Sequence, residues 1–268
     1  GFKECTDGGA AGAEVCYSGN IKKFSECKEV CDPKFQYDSS NCTGDKVLTG
    51  NSCGGKFEKC IEPLQYLYSD RTLSAEIIPG KSVIGIAVDP ENRLAVAIDY
   101  IMTTGWGGYG IDIPTLENTP SSGAGVYVRG ERDSYLIRDG KANTAKILAY
   151  GRSNGISYPA AEAAYNYQPG SCSSSSWCGR GNWYLPSNWQ VFPYFDNRAT
   201  IHLMLKAINK IPDDWWYTRN DFYTVTSNEI NAKESGFIYI NTGGMAHGGK
   251  NLTEPDNLQT LVLPYITY

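Results

Sequence analysis

The chain has 268 residues, a formal charge of −5 and a pI near 5.2. That acidity excludes a nucleic-acid binder and a polybasic membrane binder. No apolar run approaches the ~20 residues that cross a bilayer, so no transmembrane segment is expected.

Its length fits one large domain, or a small module followed by a medium one. Hydrophobic residues make up 41% and tyrosine alone contributes 19, enough for a sizeable core. The chain opens at Gly1 rather than Met and shows no signal peptide, which fits a processed mature form or a trimmed one.

Cysteine is the strongest compositional signal. Of nine cysteines, Cys5, Cys16, Cys27, Cys31, Cys42, Cys53 and Cys60 crowd the first 60 residues, and Cys172 and Cys178 stand apart. Dense cysteine among Gly, Ser and Asn reads as a disulfide module in an oxidising compartment. Zinc ribbons use paired C-x2-C knuckles and none occurs here, so no metal is assigned. An odd total leaves one cysteine unpaired or bridged between chains. Residues 1–63 are therefore expected to be a cysteine-rich disulfide module, in which Phe24–Cys31 is a short helical turn presenting Cys27 and Cys31 on one face. Residues 64–268 are expected to be the main domain.

Ser82–Asp89 and Arg93–Met102, joined by Asp89-Pro90-Glu91-Asn92, predict a β-hairpin. Gly105–Gly110 is glycine-rich and follows a strand, but no helix and no Lys-Ser/Thr pair follow it, so a phosphate loop is rejected in favour of a bulky surface loop. Asp139–Ala149 predicts a helix with an Ala/Leu face. Pro159–Tyr165 predicts a second, with proline in its first turn. Gly181–Ser187 is an aromatic burst stopped by Pro186, with Ser187 placed to cap a helix. Ile201, Met204, Leu205, Ile208 and Ile211 form the apolar face of a third helix that Pro212 ends. Trp183, Tyr184 and Leu185 are expected at the seam where that helix meets the sheet. Phe222–Ser227, Phe237–Ile240 and Leu261–Ile266 read as strands, and Gly243–Gly249 as a flexible loop. The class is α+β with antiparallel strands and about two to three helices.

Asp139-Gly140 with Asn143-Thr144, then Trp183-Tyr184-Leu185-Pro186-Ser187, then Tyr223-x-Val225-Thr226-Ser227-Asn228-Glu229, Gly243-Gly244 and a closing apolar strand resemble the bacterial Lcl C-terminal-type domain. The resemblance covers roughly residues 64–268. It implies a C-type-lectin-like fold and a secreted, cell-surface location, with adhesion known for some members.

His202 and His247 are the only histidines, and neither sits in a visible base–orienter–nucleophile set. No catalytic residue and no cofactor are assigned. Glu254-Pro255-Asp256 looks like a lectin calcium motif without its Trp-Asn-Asp partner. The candidate ligand-binding residues are Trp106, Tyr109, Asp214, Trp215, Trp216 and His247, from loops Gly105–Gly110, Asp213–Tyr217 and Gly243–Gly249. Aromatic faces beside carboxylates suit sugar or protein surfaces. Cys172 is expected to pair with Cys178, closing a small ring beside Trp177. The expected function is a non-enzymatic structural or adhesive surface protein of a bacterium, associating with itself in a fibre or with another surface protein or glycan. The alternative is a glycan- or protein-binding receptor, with a hydrolase a distant third.

Overall fold

A computed structural model describes residues 64–103, 105–118, 139–211, 223–239, 245–251 and 260–268, and the backbone of five short strands outside them. The chain divides into two units, one holding Gly1–Pro63 and the other most of Leu64–Tyr268. In the first, β1 (Glu14–Tyr17) pairs antiparallel with β2 (Asn20–Lys23), and β3 (Val47–Asn51) with β4 (Glu58–Ile61). The side chains of its seven cysteines, and the helical turn expected at Phe24–Cys31, lie outside the described residues.

The second unit is built on two sheets. The hairpin expected at Ser82–Met102 forms as β7 (Val83–Asp89) and β8 (Leu94–Ala97). Asp89 closes its turn by accepting from the backbone N–H of Asn92 at 3.1 Å. With β5 (Gln65–Tyr68), β6 (Leu73–Ser74) and β15 (Tyr265–Thr267) it makes an antiparallel five-stranded sheet in the order β15-β8-β7-β5-β6. The six-stranded sheet runs β10-β13-β12-β11-β14-β9, from β9 (Ile101–Thr103), β10 (Val126–Tyr127), β11 (Tyr223–Glu229), β12 (Glu234–Tyr239), β13 (Met245–Gly249) and β14 (Thr260–Val262).

Two long apolar runs turn out to be two strands each. Arg93–Met102 splits into β8 and β9, and Leu261–Ile266 splits at Pro264 into β14 and β15. β8 pairs with β15 in one sheet and β9 with β14 in the other. Pro264 has no N–H for a ladder, and its carbonyl accepts from Ala97 at 2.9 Å. The ribbon thus bends from one sheet into the next, a known way of making a corner. Not every strand is antiparallel: β11 and β14 run parallel.

Both sheets bury residues on both faces, and the alternation of side chains sorts the core into three clusters. Tyr66, Tyr68, Ile86, Val96, Tyr265, Ile238 and Leu261 point into one shared core. Leu67, Ala95, Ala97 and Ile266 point outward from the five-stranded sheet onto Trp183 and the cystine. Tyr223, Val225, Phe237 and Val262 point outward from the six-stranded sheet.

Four helices cover these faces among the described residues, where about two to three are expected. The first, α1 (Gly140–Asn154), is capped by Asp139, which accepts from Ala142 N–H at 2.9 Å, and ends at Gly155 in the left-handed region. Next comes α2 (Pro159–Asn166), with its proline at the start. Ser187 caps α3 (Asn188–Asp196) with a full capping box. A separate α4 (Arg198–Ala207) carries Ile201, Met204 and Leu205 inward. The extra helix arises because the chain turns at Asn197, which is the C-cap of α3 and the N-cap of α4; α3 itself runs through Pro193. α4 ends at Ala207, ahead of Pro212, where Asn209 takes a positive φ of 55°.

Trp183 does not sit at the seam with the third helix. It packs against Leu67, Ile84, Ile266 and the cystine on the far side of the five-stranded sheet, while its neighbour Tyr184 joins the core shared with α3 and α4. Extended backbone sends consecutive residues to opposite sides, and Tyr184 pairs with Tyr265 in a single β-bridge. Gly243–Gly249, expected as a flexible loop, contributes β13 from Met245 onward.

Candidate functional site

Three of the blocks behind the family resemblance, at Gly140–Thr144, Leu185–Ser187 and Thr226–Asn228, meet in the interior. Thr144 Oγ1 donates to Gly140 O at 2.7 Å and accepts from Leu185 N–H at 3.0 Å. Gln190 Oε1 accepts from both Gly140 N–H (3.1 Å) and Ser187 N–H (3.0 Å). Asn228 Oδ1 accepts from Asn188 N–H at 2.7 Å, Thr226 Oγ1 donates to Asn188 Oδ1 at 2.5 Å, and Asn143 Nδ2 donates to Ser227 Oγ at 3.2 Å. Ser227 N–H completes the set by donating to Pro186 O at 2.7 Å. These side chains are buried, and buried polar groups hold their place only when paired. The network ties α1, the Tyr184–Gln190 segment and β11 together.

One end of that network supports the glycine-rich loop. Trp106 Nε1 donates to Thr226 O at 2.8 Å. The Trp106 and Gly107 backbone N–H groups both donate to Lys250 O at 3.0 Å. Gly107 and Gly108 have φ of +99° and +63°, and a Cβ on either would stand 2.6–2.7 Å from Ser157 O or the Tyr158 hydroxyl. Glycine is required there for close approach as well as for backbone sign.

Under the loop lie Glu229, at the end of β11, and Lys250, just past β13, both 0% exposed and ion-paired. Ile113 N–H donates to Glu229 Oε2 at 3.1 Å, and Lys250 Nζ donates to Ile111 O at 2.6 Å. The Lys250 ammonium also stands 4.9 Å from the Trp106 ring centroid, a cation–π arrangement. Burial pushes the Glu229 carboxyl up and the Lys250 ammonium down, against the opposing effect of their own pairing. Burial, helped by Glu229, raises the Tyr158 phenol to about 12.

The predicted ligand residues fare differently. Trp106 is 2% exposed. Its indole meets Tyr158 edge-on at 5.5 Å, so its ring serves the interior instead of a ligand. Tyr109, 51% exposed, stands at the loop tip, where Gly110 N–H donates to Ala232 O at 2.8 Å. His247 lies on β13, half-buried, with Nδ1 3.2 Å from Glu234 Oε1. Tyr109 and His247 therefore share the β11–β12 turn end of the six-stranded sheet. Asp214, Trp215 and Trp216 lie outside the described residues, as does Glu254-Pro255-Asp256. His202 is buried on α4.

Cys172 and Cys178 form a disulfide. The ring it closes is fastened by Trp177 Nε1, which donates to Ser69 O at 2.8 Å, and by Arg71 stacked over Trp177.

Sequence reasoning missed the Glu229–Lys250 pair. Glu229 closes one of the quoted blocks, but Lys250 sits among glycines and asparagine with no periodic signal. Only the β12–β13 hairpin brings it beneath the loop.

No family model and no curated protein matches the chain. Among solved structures it is similar to a fimbrial protein from Bacteroides ovatus, with a TM-score of 0.50 at 13% identity over 81% of this chain. The chain spans about half (51%) of that protein's length. At this identity the likeness is one of fold.

Proposed function

We propose that this chain is a non-enzymatic structural or adhesive protein of a bacterial surface fibre, outside the cell and in contact with copies of itself or with another surface protein. The observation that carries the reading is the fold it shares with a fimbrial protein. The distribution of polar chemistry supports it: Glu229, Lys250 and the Thr144–Asn188–Asn228 network are spent on holding backbone in place. The disulfide at Cys172–Cys178 is in keeping with an oxidising, extracellular setting.

Within this reading, residues 64–268 are a C-type-lectin-like domain of the Lcl C-terminal type. What supports that assignment is the meeting of three of its quoted blocks, at Gly140–Thr144, Leu185–Ser187 and Thr226–Asn228, in one buried network. Residues 1–63 are the disulfide module, whose odd cysteine offers a link between copies. Light scattering on the non-reduced protein during size exclusion, with immuno-electron microscopy of the producing cells, tests the proposal. Concentration-dependent oligomers and labelled filaments are expected. A strict monomer at high concentration, together with bare cells, would overturn it.

A second reading, a glycan or protein receptor, rests on Tyr109 at the tip of a loop whose base is rigidly pinned. Its expected signature is glycan-array or matrix-protein binding that Tyr109→Ala abolishes while the fold stays intact. Silence across both panels sinks it.

A further inference from the structure

We propose that Glu229 and Lys250 condense into an intramolecular amide, a covalent bridge between the end of β11 and the residue that follows β13. The inference rests on how the two groups are enclosed and on what surrounds them, and it stands independently of the fibre reading.

Both side chains are 0% exposed. Neither ion keeps its hydration there, and the loss of hydration is what makes buried charge pairs costly. The surrounding hydrogen bonds fit the condensed product better than the ion pair. An ammonium has three donors and no acceptor. Here one donor reaches Ile111 O, one reaches Glu229, and the Trp106 face takes what remains. A secondary amide has one N–H and one C=O. The site offers one carbonyl, Ile111 O, and one N–H, that of Ile113. The product would leave no buried polar group unpaired, and it would carry no charge.

The same two partners suit the reaction. Burial raises the Glu229 carboxyl and lowers the Lys250 ammonium, which favours transfer of one proton to give a neutral acid and a free amine. The Lys250 Nζ lone pair attacks Glu229 Cδ, forming the N–C bond. Ile113 N–H, already on Oε2, steadies the negative charge that develops on that oxygen, as a backbone donor in an oxyanion hole does. One proton moves from nitrogen to the other oxygen, Oε1, which now carries two. The Cδ–Oε1 bond breaks and one water leaves. Oε2 remains as the amide carbonyl, and the amide N–H still donates to Ile111 O. No oxidant and no external reactant are needed. The groups are already held in contact, so the step is unimolecular.

The bond would tie β11 to the far end of the β12–β13 hairpin and fix the Gly105–Ile113 loop above it.

The purified full-length chain, reduced and alkylated so that disulfides do not contribute, is weighed intact by mass spectrometry. The whole population is expected to be lighter than its sequence by one water. Proteolysis is expected to release a branched peptide joining the Glu229 segment to the Lys250 segment. Lys250→Arg keeps a cation whose guanidinium does not act as a nucleophile, and it is expected to restore the full sequence mass. A wild-type chain of full mass overturns the proposal. So does a water deficit that persists in Lys250→Arg, or one without the branched peptide, since both place the loss elsewhere. If Lys250→Arg fails to fold, the wild-type mass and peptide map decide the matter alone.

Discussion

Replacing Trp183 by alanine probes the outer core of the five-stranded sheet. The indole is 1% exposed, donates from Nε1 to Cys178 O at 2.8 Å, and meets Tyr167 edge-on with ring centroids 4.8 Å apart. A buried tryptophan removes ~200 Å² from water, which at ~25 cal/mol per Å² gives about 5 kcal/mol. A denatured chain that is already partly collapsed lowers that figure. The expected loss is therefore about 3–5 kcal/mol, the usual cost of emptying an aromatic site. Against a total stability of ~5–15 kcal/mol for a domain, that is a large share. Trp183→Phe keeps most of the packing but leaves the Cys178 carbonyl without its donor, so it is expected to cost about 1–3 kcal/mol. Urea unfolding with an unchanged m-value measures both. A loss below ~1 kcal/mol for Trp183→Ala would refute the view that this side chain organises its cluster.

Further outcomes follow from the same contacts. Gly140→Ala places a methyl 2.6 Å from both Leu185 O and Ser187 N. Although alanine is the better helix former by ~1 kcal/mol, overpacking is expected to win, with a net loss of about 1–3 kcal/mol and a lower melting temperature. Cys172→Ser with Cys178→Ser opens a small ring and is expected to cost about 2 kcal/mol, read as a drop in the urea midpoint. Burial raises the Tyr158 and Tyr184 phenols to about 12. In the unfolded chain they release protons near ~10, so the folded state holds the extra protons. Their contribution is present in full below pH ~10 and is lost as pH rises through about 12. An alkaline titration of phenolate absorbance should show late-ionising tyrosines whose release coincides with unfolding; uniform titration near ~10 in folded protein would contradict this.

Much of the fold was legible because its signals are local. The β7–β8 hairpin follows from a β-branched run, a turn and a second run. The Ser187 cap follows from a serine placed directly after an aromatic burst and its proline stop, and the Cys172–Cys178 bridge from spacing and isolation. The site was less legible because burial is not local. Trp106 sits in a glycine-rich stretch that looks like an exposed loop. Its ring is enclosed only because Thr226, Tyr158 and Lys250 arrive from elements ~50–140 residues further on, and such non-local packing overrides local pattern. Lys250 gives no sign of being interior, since lysine is among the residues least often fully buried.

The sequence by itself determined the α+β class, the helices at Asp139–Ala149 and Pro159–Tyr165, the cap at Ser187 and the β7–β8 hairpin, because turn chemistry, caps and apolar periodicity act within a few residues. Tertiary structure alone decided which sheet each half of a long apolar run would join, and that β14 would lie parallel to β11. It also decided that three of the quoted blocks, at Gly140–Thr144, Leu185–Ser187 and Thr226–Asn228, would meet inside the protein. Strand pairing and burial depend on what the chain brings alongside from far away, and a corner at Pro264 or a lysine beneath a loop has no local energy that would announce it.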